Sequence, residues 1–307
     1  MLRILAALIC FAGAQLLAQT SIPAVEHSIE VVLKTDTAEI LINDEVLVSG
    51  REHYQFRLAA WLIIESLLLD GQEVRPLVQG PEYWLALPDS NTHELQFTLR
   101  GAVPARDSQQ GSRAGMLSSG GVDGFFLPGY DAWIPQDESG RISYRMMVTV
   151  PAGQRAVATG KLVSEQANED AYISTFETVN PGESPSLFVG PYQVTERLSN
   201  GLRLRTYFHE DLVSLAENYL EAADGYIQRY QQSIGAYPYS DFHIISAPIA
   251  VGLGYPNLTY VGRQVIPLPF MRTRSLAHEV LHNWWGNGVS VDYASGNWAE
   301  GDRKSVV

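Results

Sequence analysis

The spacing of apolar residues changes once along this chain, near residue 197, and this change constrains the fold more than any other feature. Before it, short runs such as 27–34 and 39–43 carry β-branched residues at strand spacing. Turn-forming pairs such as Asp70-Gly71 and Ser139-Gly140 separate such runs. Many short strands with few helical patterns predict an N-terminal all-β region of the saddle or sandwich kind.

After residue 197 a helical period takes over. Leu212, Leu220 and Ile227 belong to one apolar stripe whose members fall three or four residues apart. We predict that Asp211 caps this helix and that Gly235 ends it. Strands at 242–245 and 257–262 and a second helix at 274–285 should follow. The predicted class is therefore α+β multidomain, with an all-β domain at 19–197 and a partial α/β domain at 198–307.

The composition excludes some partners, and the N-terminus indicates export. The formal net charge of −13 over 307 residues argues against a nucleic-acid partner. Arg3, a short apolar run and small residues at Ala14 and Ala18 are typical of a secretory signal peptide. A buried first helix or a membrane anchor is the alternative, but the run is short for a span. We assign the signal to 1–18 and expect a periplasmic or extracellular protein, with no stable membrane span after cleavage.

The most informative chemical motif is the pair His278 and His282 on the second predicted helix. Residues four apart lie on one helix face, so both imidazoles can reach one metal ion about 2 Å away. Glu279 lies beside that ion, where its carboxylate can take a proton from a bound water. Two incidental histidines on an ordinary helix are the alternative. We predict a zinc site, with Glu279 as the general base.

A zinc site of this kind needs a third protein ligand. Glu300 follows His282 with seventeen residues between them, enough for a loop and a returning helix. Asp292 and Asp302 compete for this role, and Glu300 could instead be a solvated surface residue. Asp292 follows Gly286 so closely that the chain between them is too short to lead back from the end of the helix to the two histidines.

These residues, taken together, resemble the signature of the membrane alanyl aminopeptidase family of zinc metallopeptidases. The resemblance rests on His278-Glu279-Val280-Leu281-His282-Asn283-Trp284-Trp285-Gly286-Asn287, on Trp298 and Glu300, and on upstream stretches at 126–135, 150–153, 187–192 and 235–239. It implies a saddle-shaped β-domain followed by the start of a thermolysin-like catalytic domain. It also implies one zinc ion on His278, His282 and Glu300, and a peptide substrate.

The chain departs from this family in three places. The spacing from the second histidine to the glutamate is usually eighteen residues, and here it is seventeen. The family's substrate-recognition strand carries a glutamate that binds the substrate's amine, and Gly254 falls at that position. We still expect Gly252, Gly254 and Tyr255 to line the cleft as a strand edge for an extended peptide. The family's catalytic tyrosine has no counterpart up to residue 301, and 302–307 fit no family pattern, so we expect a truncated catalytic domain.

We therefore predict a zinc-dependent metallopeptidase of aminopeptidase type, which could be inactive in this truncated form. Gly254 leaves open an endopeptidase or a peptidase of narrow specificity. A non-catalytic relative that keeps the fold as an interaction module is the second alternative. The intact set of His278, Glu279 and His282 speaks against such a module, since it has no need of a base beside a metal.

Overall fold

The structure is a computed structural model that describes residues 25–106, 117–178, 180–249 and 252–289. The first fifteen strands and their neighbours form an all-β region. These strands are β1 (Val25–Lys34), β2 (Glu39–Val48), β3 (His53–Arg57), β4 (Leu62–Leu69), β5 (Gln72–Glu73), β6 (Leu77–Gln79), β7 (Glu82–Ala86), β8 (His93–Ala102), β9 (Phe125–Leu127), β10 (Gln136–Asp137), β11 (Ile142–Pro151), β12 (Arg155–Ala158), β13 (Lys161–Ala167), β14 (Ala171–Glu177) and β15 (Leu187–Gly190).

Three sheets make up this region. The largest has eight strands in the order β13-β14-β11-β1-β2-β8-β4-β5, and two smaller sheets have the orders β10-β3-β7-β6 and β12-β15-β9. Its strands bury alternate residues: in β1, Ile29, Val31 and Leu33 are buried while their neighbours are exposed. Such alternation belongs to a sheet with one face on a core and the other in water. The predicted all-β N-terminal region is confirmed.

A five-stranded sheet follows, built from β16 (Gln193–Ser199), β17 (Leu202–Phe208), β18 (Asp241–Ala247), β19 (Gly252–Tyr255) and β20 (Leu258–Gly262). Its order is β16-β17-β18-β20-β19, in which β17, β18 and β20 run parallel and β19 returns antiparallel at one edge. Every residue of β18 is buried, as expected for a parallel strand covered on both faces. The predicted boundary at residue 197 lies inside β16, which pairs with β17, and the division into domains stays a prediction.

Two helices cover one face of this sheet. α1 spans Ala216–Ser233 and is preceded by a 3-10 segment at Glu210–Leu215, and α2 spans Leu276–Leu281 after a π-helical turn at Met271–Ser275. The expectation that Asp211 caps the first helix is wrong. Its carboxylate pairs with Arg263 at 2.8 Å, and no side chain caps either segment. No helix in the described ranges is long and apolar enough to cross a membrane.

The opposite face of the five-stranded sheet packs on the all-β region. Phe126 and Phe188, from β9 and β15, lie against Tyr260 of β20 with ring centroids 5.2 and 4.6 Å apart. These rings belong to one buried apolar cluster, which we call the seam; its other members are Val157, Tyr192, Tyr207, Ile245, Ala247 and Leu258. The seam fixes β20 and its neighbour β19 against the all-β region.

Candidate metal centre

The two histidines of the motif point their rings at one another. His278 Nε2 and His282 Nε2 are 3.0 Å apart, with ring planes near perpendicular at 82°. Two nitrogens bound to one tetrahedral zinc, each 2.0–2.1 Å from it, would be about 3.3 Å apart. The helix therefore presents two nitrogens at nearly the separation that a shared zinc ion requires.

The surroundings of the two rings set the tautomer of His282 and the pKa of His278. His282 Nδ1 donates to the carbonyl oxygen of Trp285 at 3.1 Å, and since a carbonyl only accepts, Nε2 of this ring keeps its lone pair. Burial, and secondarily the neighbouring His282, lowers the pKa of His278. The lowered pKa favours the neutral imidazole of His278, and the neutral imidazole is the form that binds a metal.

The carboxylate of Glu279 lies between α2 and β19. A Cβ atom placed on Gly254 would lie 2.9 Å from Glu279 Oε2, and one placed on Gly252 would lie 3.8 Å from Oε1. Burial raises the pKa of Glu279, and the charge of His282 opposes this by a smaller amount. A carboxylate of raised basicity beside the histidine pair is suited to accept a proton.

Aromatic residues hold α2 in place, although this helix is only six residues long. Tyr230 of α1 donates its hydroxyl to the carbonyl oxygen of Ala277 at 3.2 Å. Trp284 packs edge-on against Tyr230 and Tyr237, and its indole N–H reaches the carbonyl oxygens of Gly235 and Ala236 at 3.2 Å. A helix this short depends on such tertiary contacts for its stability.

One residue that the sequence analysis did not single out connects α2 to the edge hairpin. Asn283 is fully buried, and its Oδ1 accepts from the backbone N–H of Asn257 at 2.9 Å and from the Tyr237 hydroxyl at 3.2 Å. Asn257 lies in the turn between β19 and β20, and its side chain donates to Asp241 Oδ1 and to the carbonyl oxygen of Gly160. The only feature of the sequence that draws attention to Asn283 is its place directly after His282.

The three predicted substrate-binding residues divide between the two faces of β19. Gly252 and Gly254 face Glu279, as the Cβ distances show. Tyr255 faces the other way: its ring packs on Phe188 with centroids 5.4 Å apart, and its hydroxyl bonds to Ser186. Burial raises the pKa of the Tyr255 hydroxyl. The structure thus brings both glycines next to Glu279, and Gly254 also next to His282, whereas the tyrosine side chain points away from them.

The remaining ligand candidates, Glu300, Asp292 and Asp302, lie outside the described residues. Within those residues no three His, Cys, Asp or Glu side chains are grouped so that they could hold a metal ion. Two imidazole nitrogens at the right separation, with one ring oriented by a backbone carbonyl, fit zinc as two of its ligands.

Comparison with known proteins gives structural matches alone. No protein-family model and no curated protein matches the sequence. Among solved structures, the M1 zinc metallopeptidase from Deinococcus radiodurans is similar, with a TM-score of 0.63 and 16% identity over 87% of this chain and 66% of that one. A mutant of that peptidase bound to a Tyr-Ser-Ala substrate gives a TM-score of 0.62 at the same identity and coverage.

These matches define the class of fold. The chain shares its fold with M1 zinc metallopeptidases over 87% of its length, which is consistent with an all-β N-terminal domain. It spans 66% of the length of these solved peptidases. At 16% identity the likeness concerns the fold, and the chemistry has to be argued from the residues of this chain.

Proposed function

We propose that this protein is a zinc-dependent metallopeptidase that hydrolyses peptide bonds. This proposal rests on the histidine pair: His278 Nε2 and His282 Nε2 lie 3.0 Å apart, with Glu279 beside them. The fold shared with M1 zinc metallopeptidases supports it. Glu300 is proposed as the third zinc ligand, by resemblance and by spacing. Export, with residues 1–18 as a signal peptide, is proposed on the sequence alone.

The chemistry divides between the metal and Glu279. When bound, zinc acidifies a water molecule and polarises the scissile carbonyl group. Glu279 accepts the proton of that water at its carboxylate and later delivers a proton to the leaving amine. Because the facing positions of β19 are glycines, no side chain of that strand lies against the carboxylate.

The edge strand β19 is proposed to bind the substrate backbone. β20 pairs with one side of β19, and no strand in the described residues pairs with the other. Tyr255 and Leu258 flank the two-residue turn, and hydrogen-bonded and non-hydrogen-bonded pairs alternate away from it. The N–H and C=O groups of Gly254 and Gly252 therefore point to the open edge. An extended peptide can pair with them as an added strand, next to Glu279.

The test is peptide hydrolysis by the full-length protein. We expect activity that a chelator abolishes and that added zinc restores. Glu279→Gln should lower kcat by about a thousandfold or more, at unchanged zinc content, because it removes the base and keeps the side-chain volume. Activity that survives in the Glu279→Gln variant would contradict the proposal and would favour a non-catalytic binding role for this site.

A further inference from the structure

The side of β19 that faces the proposed reaction site carries no side chains. Because successive residues of a strand point to opposite faces, Gly252 and Gly254 occupy the face toward Glu279. Leu253 and Tyr255, which do have side chains, point to the seam. The atoms nearest to an added Cβ on the first face belong to Glu279 and His282.

A peptide's free N-terminus carries an ammonium group, and an enzyme that requires this group needs a negative partner for it. Such a partner is a charge-assisted hydrogen-bond acceptor, worth about tenfold or more in affinity. The strand that would run beside the substrate offers none, since both of its inward positions are glycine. Its open edge instead offers backbone N–H and C=O groups, which every residue of an extended peptide can match and which do not distinguish a chain end from a chain interior.

We propose that β19 binds the peptide by its backbone alone, so that the site accepts peptides with a blocked N-terminus as well as peptides with a free one. The inference rests on the proposed function and specifies its substrate class. Gly254 is the specificity-determining residue: it is the position beside Glu279 and His282 from which a side chain could reach a bound peptide.

The experiment compares one peptide in two forms, with a free and with an N-acetylated terminus, as substrates of the full-length zinc-loaded protein. We expect kcat/KM values within about threefold of each other. The Glu279→Gln variant gives a second readout without turnover, because fluorescence anisotropy should show dissociation constants for the two labelled forms within the same factor. A preference of about tenfold or more for the free amine, in either readout, would overturn the inference and leave the peptidase proposal standing.

Two variants of equal size isolate the charge. Gly254→Glu adds a carboxylate at the bare position, and Gly254→Gln adds the same volume without the charge. We expect the ratio of free to acetylated hydrolysis to rise about tenfold in Gly254→Glu relative to Gly254→Gln. Equal ratios in the two variants would contradict the role of Gly254. Failure of the native protein to cleave either form would overturn the peptidase proposal, and the inference with it.

Discussion

At the scale of single residues, the site depends on how closely β19 approaches α2. Gly254 permits this approach because Glu279 Oε2 lies 2.9 Å from the place where a Cβ would be. A methyl group there must push the carboxylate away, because real Cβ atoms do not come so close to a neighbour. A side chain at position 254 would therefore move the proposed base.

Replacing Gly254 by alanine should lower kcat/KM for peptide hydrolysis about three- to tenfold. Displacing a side chain from its rotamer costs about 0.5–1.5 kcal/mol, and the displaced group here is the base. Gly225→Ala is the matched control: it lies exposed in α1, and an added Cβ meets nothing within 4 Å. The control should keep its activity and unfold at a slightly higher temperature, since alanine favours a helix. Equal rate losses in both variants would contradict this role of Gly254.

At the scale of elements, Asn283 joins three of them: α2, the β19–β20 hairpin, and the segment that carries Tyr237. Its Oδ1 accepts from Asn257 and Tyr237, and its side-chain N–H groups donate to carbonyl oxygens of its own helix. Asn257, at the hairpin turn, has φ of +58°, a left-handed conformation that asparagine tolerates better than most residues. Asn283 thus links the hairpin turn directly to the segment that carries the histidine pair.

Asn283→Ala should lower the free energy of unfolding by about 2–4 kcal/mol. The change leaves the buried N–H of Asn257 without its acceptor and weakens the hydrogen bonding of Tyr237, and an unsatisfied buried group costs about 1–3 kcal/mol. Urea unfolding measures the loss. Gln228→Ala, which removes an exposed bond to Asp224, serves as the control and should change stability by less than about 0.5 kcal/mol. A similar small change in Asn283→Ala would show that its bonds do not hold these elements together.

A contact between His93, at the start of β8, and two aspartates makes the free energy of unfolding depend on pH. His93 Nδ1 lies 2.7 Å from Asp70 Oδ2, and its Nε2 lies 3.1 Å from Asp89 Oδ1. The hydrogen bond to Asp70 is the main cause that raises the pKa of His93. A raised pKa in the folded state gives stability that is fully present below the unfolded value of about 6.5 and is lost as pH rises through the folded value.

His93→Gln should therefore reduce the fall in melting temperature between pH 6 and pH 9. Melting curves at several pH values measure it, with His53→Gln, an exposed histidine stacked on Trp84, as the control. An unchanged slope in His93→Gln would mean that the pairing with Asp70 and Asp89 contributes nothing to folding.

The sequence predicts the regular elements better than the contacts between them. Alternation in β1, β2 and β11 is visible in the chain, because one face of each strand is buried. The pattern of apolar residues does not predict β19, since two glycines in four residues carry no strand pattern; only the family resemblance indicates a strand there. The pairing of β1 with β11 joins segments more than a hundred residues apart, and local pattern contains no signal for it. The histidine pair is predictable because its two members lie four residues apart on one helix. The hydrogen bond from the Asn257 N–H to Asn283 is not predictable, because it joins separate elements.

At the scale of the whole molecule, the seam couples the all-β region to the sheet that carries the site. Phe188 is fully buried there and contacts Phe126, Tyr255 and Tyr260. Arg205 of β17 adds a charged link, with two bonds to Glu165 of β13 at 2.7 and 3.0 Å. The all-β region therefore supports the face of β19 and β20 that points away from Glu279.

Phe188→Ala should cost about 3–5 kcal/mol, the usual cost of deleting a buried phenylalanine ring. Hydrogen exchange should show lost protection on both sides of the seam, in β15 and in β18 and β20. Phe97→Ala is the matched control, because this ring is equally buried but packs on Phe56 inside the all-β region. In Phe97→Ala the loss of hydrogen-exchange protection should be confined to the neighbouring strands β2, β4 and β8. If Phe188→Ala lost hydrogen-exchange protection only in the all-β region, the seam would not couple the two parts.

The zinc content of the full-length protein, measured by elemental analysis after dialysis from saturating zinc, tests the central claim most directly. We predict one zinc ion per chain in the native protein and in Glu279→Gln, and less than a tenth of that in His278→Ala or His282→Ala. Glu300→Ala should weaken zinc binding more than about a hundredfold, and Asp292→Ala should not, since even indirect partners of a ligand cost 10–100-fold. A native protein that retains no zinc, or histidine variants that retain it fully, would contradict the existence of this metal centre.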